Sequence, residues 1–219
     1  MNSRKSAWDI ETPATMVAGI IADVLWMLAY IFTIRVGFRD HSYGVPLVAV
    51  CLNFTWELIF SLVIRPKSKL RMGLTLLWLA IDSVIVYQLL RYGRGDQIPQ
   101  LQPYFVWIVL GTMVLAAIGH VTFYYTYEDP GGQEDAFSIN LVMSILFVFL
   151  FFSRPDMRGL SYAAAWLKMI GTAILSAGNF WLMRKEEQKY GFFMFLFGTI
   201  FLFDVIYVSL MWHARHAGG

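Results

Sequence analysis

The feature that most restricts the fold of this chain is a series of seven apolar stretches, each close to the length of a membrane-spanning helix. A bilayer core about 30 Å thick needs roughly 20 residues of helix to cross it. The stretches cover roughly residues 16–36, 44–64, 72–92, 103–125, 137–153, 162–183 and 192–213. Seven spans use about 140 residues and leave only short connections. The sequence therefore predicts an all-α integral membrane bundle of seven transmembrane helices, in one domain over residues 1–219.

The composition supports a membrane protein and argues against a soluble enzyme. The chain is 58% hydrophobic and 15% charged, whereas an ordinary soluble domain is about 45 to 50% apolar and about 25% charged. A net charge of +2 is too small to indicate nucleic-acid binding. With Cys51 as its only cysteine, the chain forms no internal disulfide and no cysteine metal cluster. We expect membrane lipid and a lipophilic small molecule as partners, and no nucleic acid.

The orientation in the membrane follows from the basic residues of the predicted loops. The amino-terminal side carries 9 Lys and Arg residues and the opposite side 7. The second loop, residues 65–71, is short and strongly basic. We therefore expect a cytoplasmic amino terminus.

Ionisable residues inside the predicted spans are the first functional candidates, because charge is costly in the membrane. They are Asp23, Glu57, Asp82, His120 and Asp204. Counted from the amino-terminal face, Asp23 and Glu57 lie about 11 Å deep, Asp82 about 15 Å and Asp204 about 18 Å. The shared depth predicts a cavity opening on that side. Lys168 is expected near the opposite face, with its stem reaching water.

These carboxyl groups suggest acid chemistry. Like charges in a low-dielectric cavity cannot all ionise, so some of the acids should be neutral at pH 7. A neutral acid in a dry pocket is a proton donor, and an alkene or an epoxide is a fitting target. Glu57 and Asp204 are the predicted catalytic residues, since Glu57 lies beside Asn53 and Trp56 and Asp204 lies nearest mid-membrane. Asp23 and Asp82 fit a purely structural hydrogen bond to Asn or Tyr on a neighbouring helix equally well.

Aromatic residues accompany the acids at helical spacing: Trp26 follows Asp23 by three residues and Trp78 precedes Asp82 by four. Rings facing a cationic centre would stabilise a migrating carbocation. They are also compatible with interfacial belts and ordinary packing. The predicted substrate-binding residues are Asp23, Trp26, Asn53, Trp56, Trp78, Asp82, His120, Asn140 and Tyr207.

A metal site is not expected. The chain has no pair of adjacent aspartates, so the DDxxD motif of ionisation-type prenyl enzymes and the DxDD motif of soluble protonation-type cyclases are both absent. The acidic fourth loop could hold a divalent cation and a diphosphate, but a solvated turn is the preferred interpretation. Its acidic residues are Glu128, Asp129, Glu134 and Asp135.

Three segments resemble one family of membrane enzymes: Asn53-Phe54-Thr55-Trp56-Glu57, Trp78-Leu79-Ala80-Ile81-Asp82 and Phe203-Asp204-Val205. They look like the small seven-helix terpene cyclases of fungal meroterpenoid and indole-diterpene pathways. In length the chain is closer to actinobacterial relatives that cyclise farnesyl groups on indole diketopiperazines, as in the drimentine pathway.

The resemblance implies a cyclase that uses neither metal nor redox cofactor, and in which Glu57 and Asp204 match the family's acid-base residues. It also implies a bacterial plasma membrane as the location.

Two other classes of seven-helix protein are alternative interpretations of this sequence. A small-solute or proton-coupled transporter is suggested by the intramembrane acids. The seven prolines all lie in predicted loops or at helix ends, so broken helices are not expected, which weakens this alternative. A retinal photoreceptor needs a lysine in a span, normally the seventh, where this chain has none.

Overall fold

The computed structural model describes residues 13–64, 69–127, 129, 131–183 and 187–216, and within them seven long helices. These are α1 (Pro13–Arg39), α2 (Leu47–Leu58), α3 (Lys69–Tyr92), α4 (Phe105–Tyr127), α5 (Gln133–Phe152), α6 (Tyr162–Met183) and α7 (Glu187–His216). A π-helical turn, Ile59–Val63, continues α2, and two 3-10 turns, Gly93–Asp96 and Gln102–Tyr104, connect α3 to α4. The described residues contain no β-strand. The prediction of an all-α transmembrane bundle is confirmed.

Within the described ranges, five helical segments are long and apolar enough to cross a bilayer, on length and composition. They are Thr15–Arg39, Met72–Asp96, Gln102–Tyr127, Gln133–Phe152 and Tyr190–His216. The segment Leu47–Val63 is apolar but shorter. Its helix begins directly after Pro46, which has an extended backbone, so proline defines where α2 starts.

The helices form a ring in the order α1, α6, α7, α5, α2 and α3, with α4 packed against the outside of α2. The contact between α1 and α6 is the most extensive. A Cβ on Gly171 of α6 would lie 3.0 Å from Cδ1 of Trp26 and 3.3 Å from the carbonyl oxygen of Ala22. Small residues at this crossing let the two backbones approach closely, as is usual between membrane helices.

The connections opposite the amino terminus close that end of the bundle. Arg154, after α5, is buried; its guanidinium lies 2.8 Å from Asp96 and donates to the carbonyl of Tyr43. It also stacks 4.2 Å from the centre of the Tyr43 ring. Because most of the buried apolar core lies in the same half, including Leu89, Phe105 and Met211, this half is the packed one.

Candidate active site

A cluster of three carboxyl groups lies between α1, α2 and α3. Glu57 of α2 interacts electrostatically with Asp82 of α3 and Asp23 of α1. Asp82 is buried and Glu57 is partly buried, while Asp23 is exposed. Among the described residues, the ion pairs involve none of the three. The structure thus brings together three of the four acids predicted from the sequence, with no compensating cation from the part of the chain that it describes.

Tyr30 of α1 connects two helices of this cluster. Its hydroxyl group accepts a hydrogen bond from Nδ2 of Asn53 at 2.5 Å and interacts electrostatically with the carboxyl group of Asp82. Its ring meets the Trp78 ring edge-on, with centroids 5.4 Å apart. The tyrosine therefore fixes the position of Asp82 and places aromatic faces beside the carboxyl cluster.

The backbone next to Glu57 departs from the α-helix. The π-helical turn Ile59–Val63 ends with the N–H of Ile64 donating to the carbonyl of Ile59 at 2.8 Å. The hydroxyl of Ser61 donates to the carbonyl oxygen of Glu57. The side-chain oxygen Oε2 of Glu57 is buried and makes no hydrogen bond. π-Helical turns within α-helices are frequent at functional sites, and here one adjoins an unsatisfied carboxyl group.

The second acid predicted to be catalytic, Asp204, lies in a different environment. Nζ of Lys168 on α6 is 2.7 Å from Oδ1 and 3.0 Å from Oδ2 of Asp204, and it also donates to Oγ of Ser144 at 2.7 Å. Lys168 is 4% exposed and Asp204 is 3% exposed. The expectation that Lys168 reaches water is therefore wrong. The ammonium group instead balances the charge of Asp204, because a buried carboxylate needs a nearby cation.

The sequence does not predict this ion pair. Depths counted from the ends of the apolar stretches place Asp204 nearest mid-membrane and Lys168 near the face opposite the amino terminus. Helix α7 begins at Glu187 rather than near 192, which puts Asp204 about 26 Å along the helix and only about 18 Å from its end. Lys168 lies two turns into α6 from the same side. The signal in the sequence was the presence of one lysine and one aspartate inside consecutive apolar runs.

Trp26 lies between the two acidic sites. Its ring is 6.1 Å from the Tyr30 ring and 5.4 Å from Nζ of Lys168. Trp26 and Lys168 line a small void of about 20 Å³ together with Tyr207 and Phe147. This is roughly the space of one water molecule. Tyr207 stacks on Phe147 with centroids 5.1 Å apart. Aromatic side chains thus form the connection between the carboxyl cluster and the ion pair.

Trp56, although adjacent to Glu57, packs against the α4–α5 loop. Its ring stacks on Phe60 with centroids 4.4 Å apart. A Cβ on Gly132 would lie 2.7 Å from the Phe60 ring and 2.8 Å from the Trp56 ring, and Gly132 has a φ of 65°. Only glycine fits this left-handed, close-packed position.

The acidic loop before α5 is buried, which makes the expectation of a solvated turn wrong. The carboxylate of Asp129 accepts hydrogen bonds from the backbone N–H groups of residues 133, 134 and 135, at 3.0, 2.9 and 3.2 Å. It therefore caps the helix, since these N–H groups have no partner within it. Burial raises the pKa of the Asp129 carboxyl to about 6. Glu128 lies outside the described residues.

His120 is hydrogen bonded to the same buried acidic region. Its Nδ1 is 2.7 Å from the carboxylate of Asp135 and its Nε2 is 3.1 Å from the carbonyl oxygen of Leu52. The imidazole joins α4 to α5 and α2, and the structure does not bring it to the carboxyl cluster. Among the described residues, His, Cys, Asp and Glu side chains form no group of three suited to a metal ion.

A larger cavity, of about 190 Å³, lies between α6 and α7. Asp204 forms part of its wall, together with Thr172 and Ser176 of α6. Asn140 of α5 donates to the hydroxyl of Thr172 at 3.3 Å, and its Oδ1 is buried without a hydrogen bond. Asn140 therefore supports the wall of this cavity rather than the carboxyl cluster.

Comparison with known proteins identifies the family. The family model of Pyr4-like transmembrane terpene cyclases matches residues 9–217. The chain is similar to the Pyr4-family terpene cyclase mfmH of Annulohypoxylon moriforme, with 30% identity over 194 residues that cover 87% of this chain and 79% of the relative. It is 26% identical to terpene cyclase macJ of Penicillium terrestre over 87% of this chain and 78% of that protein.

A third relative, terpene cyclase cle7 of Aspergillus versicolor, is 25% identical over 96% of this chain and 95% of its own length. These three relatives are fungal, so the closer likeness to actinobacterial cyclases stays a prediction. Their shared activity favours an enzyme over a transporter. The chain belongs to the Pyr4-like transmembrane terpene cyclases, a family of membrane enzymes that cyclise terpenes.

Proposed function

We propose that the protein protonates the terminal alkene, or an epoxide, of a farnesyl chain attached to an indole-type core, and that the resulting cation cyclises until a proton is lost. The protein would use no metal or redox cofactor. We further propose a bacterial plasma membrane as its location, with the amino terminus cytoplasmic. The indole-type core and this location rest on the resemblance drawn from the sequence.

The observation that carries the proposal is the unsatisfied carboxyl group of Glu57 within a cluster of acids. Two effects disfavour a negative charge on Glu57: burial away from water, and the proximity of Asp82 and Asp23. Asp204, by contrast, has the ammonium group of Lys168 at 2.7 Å. Glu57 is therefore the better proton donor and Asp204 the better acceptor.

The proposed reaction is an isomerisation in which atoms and charge balance. The O–H bond of Glu57 breaks as its proton forms a C–H bond at the distal end of the chain, leaving a tertiary cation. Each following alkene donates its electron pair to a new C–C bond, so the cation moves toward the core. Loss of a C–H proton to the carboxylate of Asp204 then forms the final alkene. A proton taken from solvent at the exposed end of the cluster, near Asp23, restores Glu57, and Asp204 releases the proton that it accepted, so that both residues return to their starting states.

The aromatic residues between the two acids would guide this migration. The rings of Trp26, Tyr30 and Trp78 adjoin the carboxyl cluster, and Tyr207 adjoins the ion pair. A cation close to an aromatic face gains about 0.5 to 2 kcal/mol when water is excluded. The void between the sites, about 20 Å³ without substrate, is lined largely by apolar side chains, which would exclude water from the bound chain and delay capture of the cation.

Product analysis tests the proposal. Membranes containing the protein are incubated with a farnesylated indole diketopiperazine, and the products are separated by liquid chromatography with mass spectrometry. We expect a product of unchanged mass and altered retention, absent with Asp204→Asn. As a matched control, Asp156→Asn removes an exposed carboxyl group with a side chain 63% exposed and should keep full activity. No conversion of linear or epoxidised prenyl substrates by the wild type would contradict the proposal.

A further inference from the structure

The cavity between α6 and α7 has two chemically different walls. Met169 and Ala173 of α6, with Phe197 and Phe201 of α7, supply apolar surface. Thr172, Ser176 and Asp204 supply polar groups. Phe201 is 50% exposed and Asp204 is buried, so the cavity runs inward from the outer surface of the bundle to the ion pair. An occupant would need an apolar face and a hydrogen-bonding edge.

One polar atom of this wall is without a partner. The hydroxyl oxygen of Ser176 is buried and makes no hydrogen bond. A buried hydroxyl group left unsatisfied costs about 1 to 3 kcal/mol. The hydroxyl of Thr172, one turn away, is already bonded to Asn140 at 3.3 Å. Ser176 is therefore the group in this wall that a ligand would satisfy.

The size of the cavity limits the occupant to one part of a substrate. About 190 Å³ is less than the roughly 300 to 1,000 Å³ of pockets that enclose a whole drug-sized ligand. A compact bicyclic ring system fits, whereas a farnesyl chain together with its core does not. The polar edge formed by Ser176 and Asp204 suits a ring system that bears an N–H or O–H group, not the hydrocarbon chain.

We propose that the α6–α7 cavity is the subsite for the polar ring core of the substrate, entered from the bilayer side, with a donor group of the core bonded to Oγ of Ser176. This inference rests on the proposed function. It places the attached end of the prenyl chain next to Asp204, where the cation arrives last, and leaves the distal end for Glu57. Ser176 and the cavity wall would then determine which cores are accepted.

A binding experiment tests the subsite without turnover. The probe is an indole diketopiperazine bearing a fully saturated farnesyl chain, which cannot be cyclised, and its Kd is measured with the full-length protein in detergent. We expect Ser176→Ala to weaken binding about fivefold, the value of one hydrogen bond. Ala173→Leu, which fills the cavity, should weaken it further. Ser83→Ala is the matched control, because the Ser83 hydroxyl is exposed and bonds only its own helix at 2.7 Å.

Methylation of the indole nitrogen completes the test as a double-mutant cycle. The methylated probe should bind the wild type about fivefold more weakly, with no further loss in Ser176→Ala. If Ser176 had a purely structural role, Ser176→Ala would leave binding of the probe unchanged, since its hydroxyl would make no bond to the probe. Equal affinity in wild type, Ser176→Ala and Ala173→Leu overturns the inference, and so does an equal methylation penalty in wild type and Ser176→Ala.

The two proposals fail separately. Binding that depends on Ser176, without cyclisation of the unsaturated substrate, would overturn the proposed function and support the subsite. Cyclisation with equal affinity across the variants would support the function and overturn the subsite.

Discussion

The two acidic sites of this bundle use the same kind of residue in opposite settings. Glu57 lies among Asp82 and Asp23, and its Oε2 makes no hydrogen bond. Asp204, which is more deeply buried than Glu57, is held by Lys168 at 2.7 Å. A carboxyl group without a cation is inclined to keep its proton, whereas one paired with an ammonium group is inclined to release it. Under the proposed function, neighbouring charges, more than depth in the membrane, divide the roles of donor and acceptor.

The largest expected effect comes from removing the proposed donor. Glu57→Gln keeps the size of the side chain but not its transferable proton, and a general acid contributes typically about 10²- to 10⁴-fold. We expect turnover to fall by about 10³-fold, measured as product formed per protein by mass spectrometry. Thermal stability in detergent should stay the same or rise, because a buried unpaired acid is removed. Turnover within tenfold of the wild type would break the distinction between the two sites.

Removing the cation from the second site should act on stability. Lys168→Met leaves Asp204 buried without a partner, and breaking one side of a buried ion pair costs about 3 to 5 kcal/mol. We expect a marked fall in the melting temperature, which is measured by the change in intrinsic fluorescence on unfolding. Adding Asp204→Asn to Lys168→Met should recover part of that loss, since it removes the orphaned charge. A double variant less stable than Lys168→Met would contradict the assignment of this pair as charged.

A smaller effect is expected from the residue that connects the carboxyl cluster to α1. Tyr30→Phe keeps the ring against Trp78 but removes the hydroxyl that bonds Asn53 and interacts with Asp82. We expect kcat to fall about tenfold, the equivalent of roughly one hydrogen bond in the transition state. The melting temperature of Lys168→Met should respond to Tyr30→Phe additively. A kcat unchanged by Tyr30→Phe would show that the position of Asp82 does not matter for turnover.

The smallest effect concerns a third kind of carboxyl site, at the end of α5. The pKa of Asp129 is raised from 3.8 to about 6 by burial. Between these values the folded state binds more protons than the unfolded state, so stability falls as pH rises from about 4 to about 6. We expect Asp129→Asn to flatten this part of the curve of melting temperature against pH, while its amide oxygen keeps part of the cap. Parallel curves for the two proteins would contradict the assignment.

Much of the fold could be predicted from the sequence, because each helix corresponds to a long, mainly apolar run of residues. The ends were less predictable: α5 begins at Gln133 because Asp129 caps it and Asp135 pairs with His120. Glu134 and Asp135 read as loop residues in the sequence, since acidic side chains usually face water. Their burial depends on partners from other helices, which apolar patterns do not specify.

The candidate site was predicted in its components and only partly in its arrangement. The grouping of Glu57 with Asp82 follows from their similar depth on neighbouring helices, and the structure brings them together. The pairing of Lys168 with Asp204 depends on how far α7 extends beyond its apolar run and on which faces of α6 and α7 meet. Both are properties of the assembled bundle. They change the interpretation of Asp204 from an isolated acid to the partner of a buried lysine.

The most direct test of the central claim, protonation of the substrate by Glu57, is cyclisation in deuterium oxide. The proton of Glu57 exchanges with solvent, so the account predicts that the wild-type product from a farnesylated indole diketopiperazine is one mass unit heavier, with the deuterium on the ring methylene next to the carbon that bears the two methyl groups. Glu57→Gln should give no such product. A cyclised product without deuterium, or a labelled product formed at the wild-type rate by Glu57→Gln, would contradict the claim.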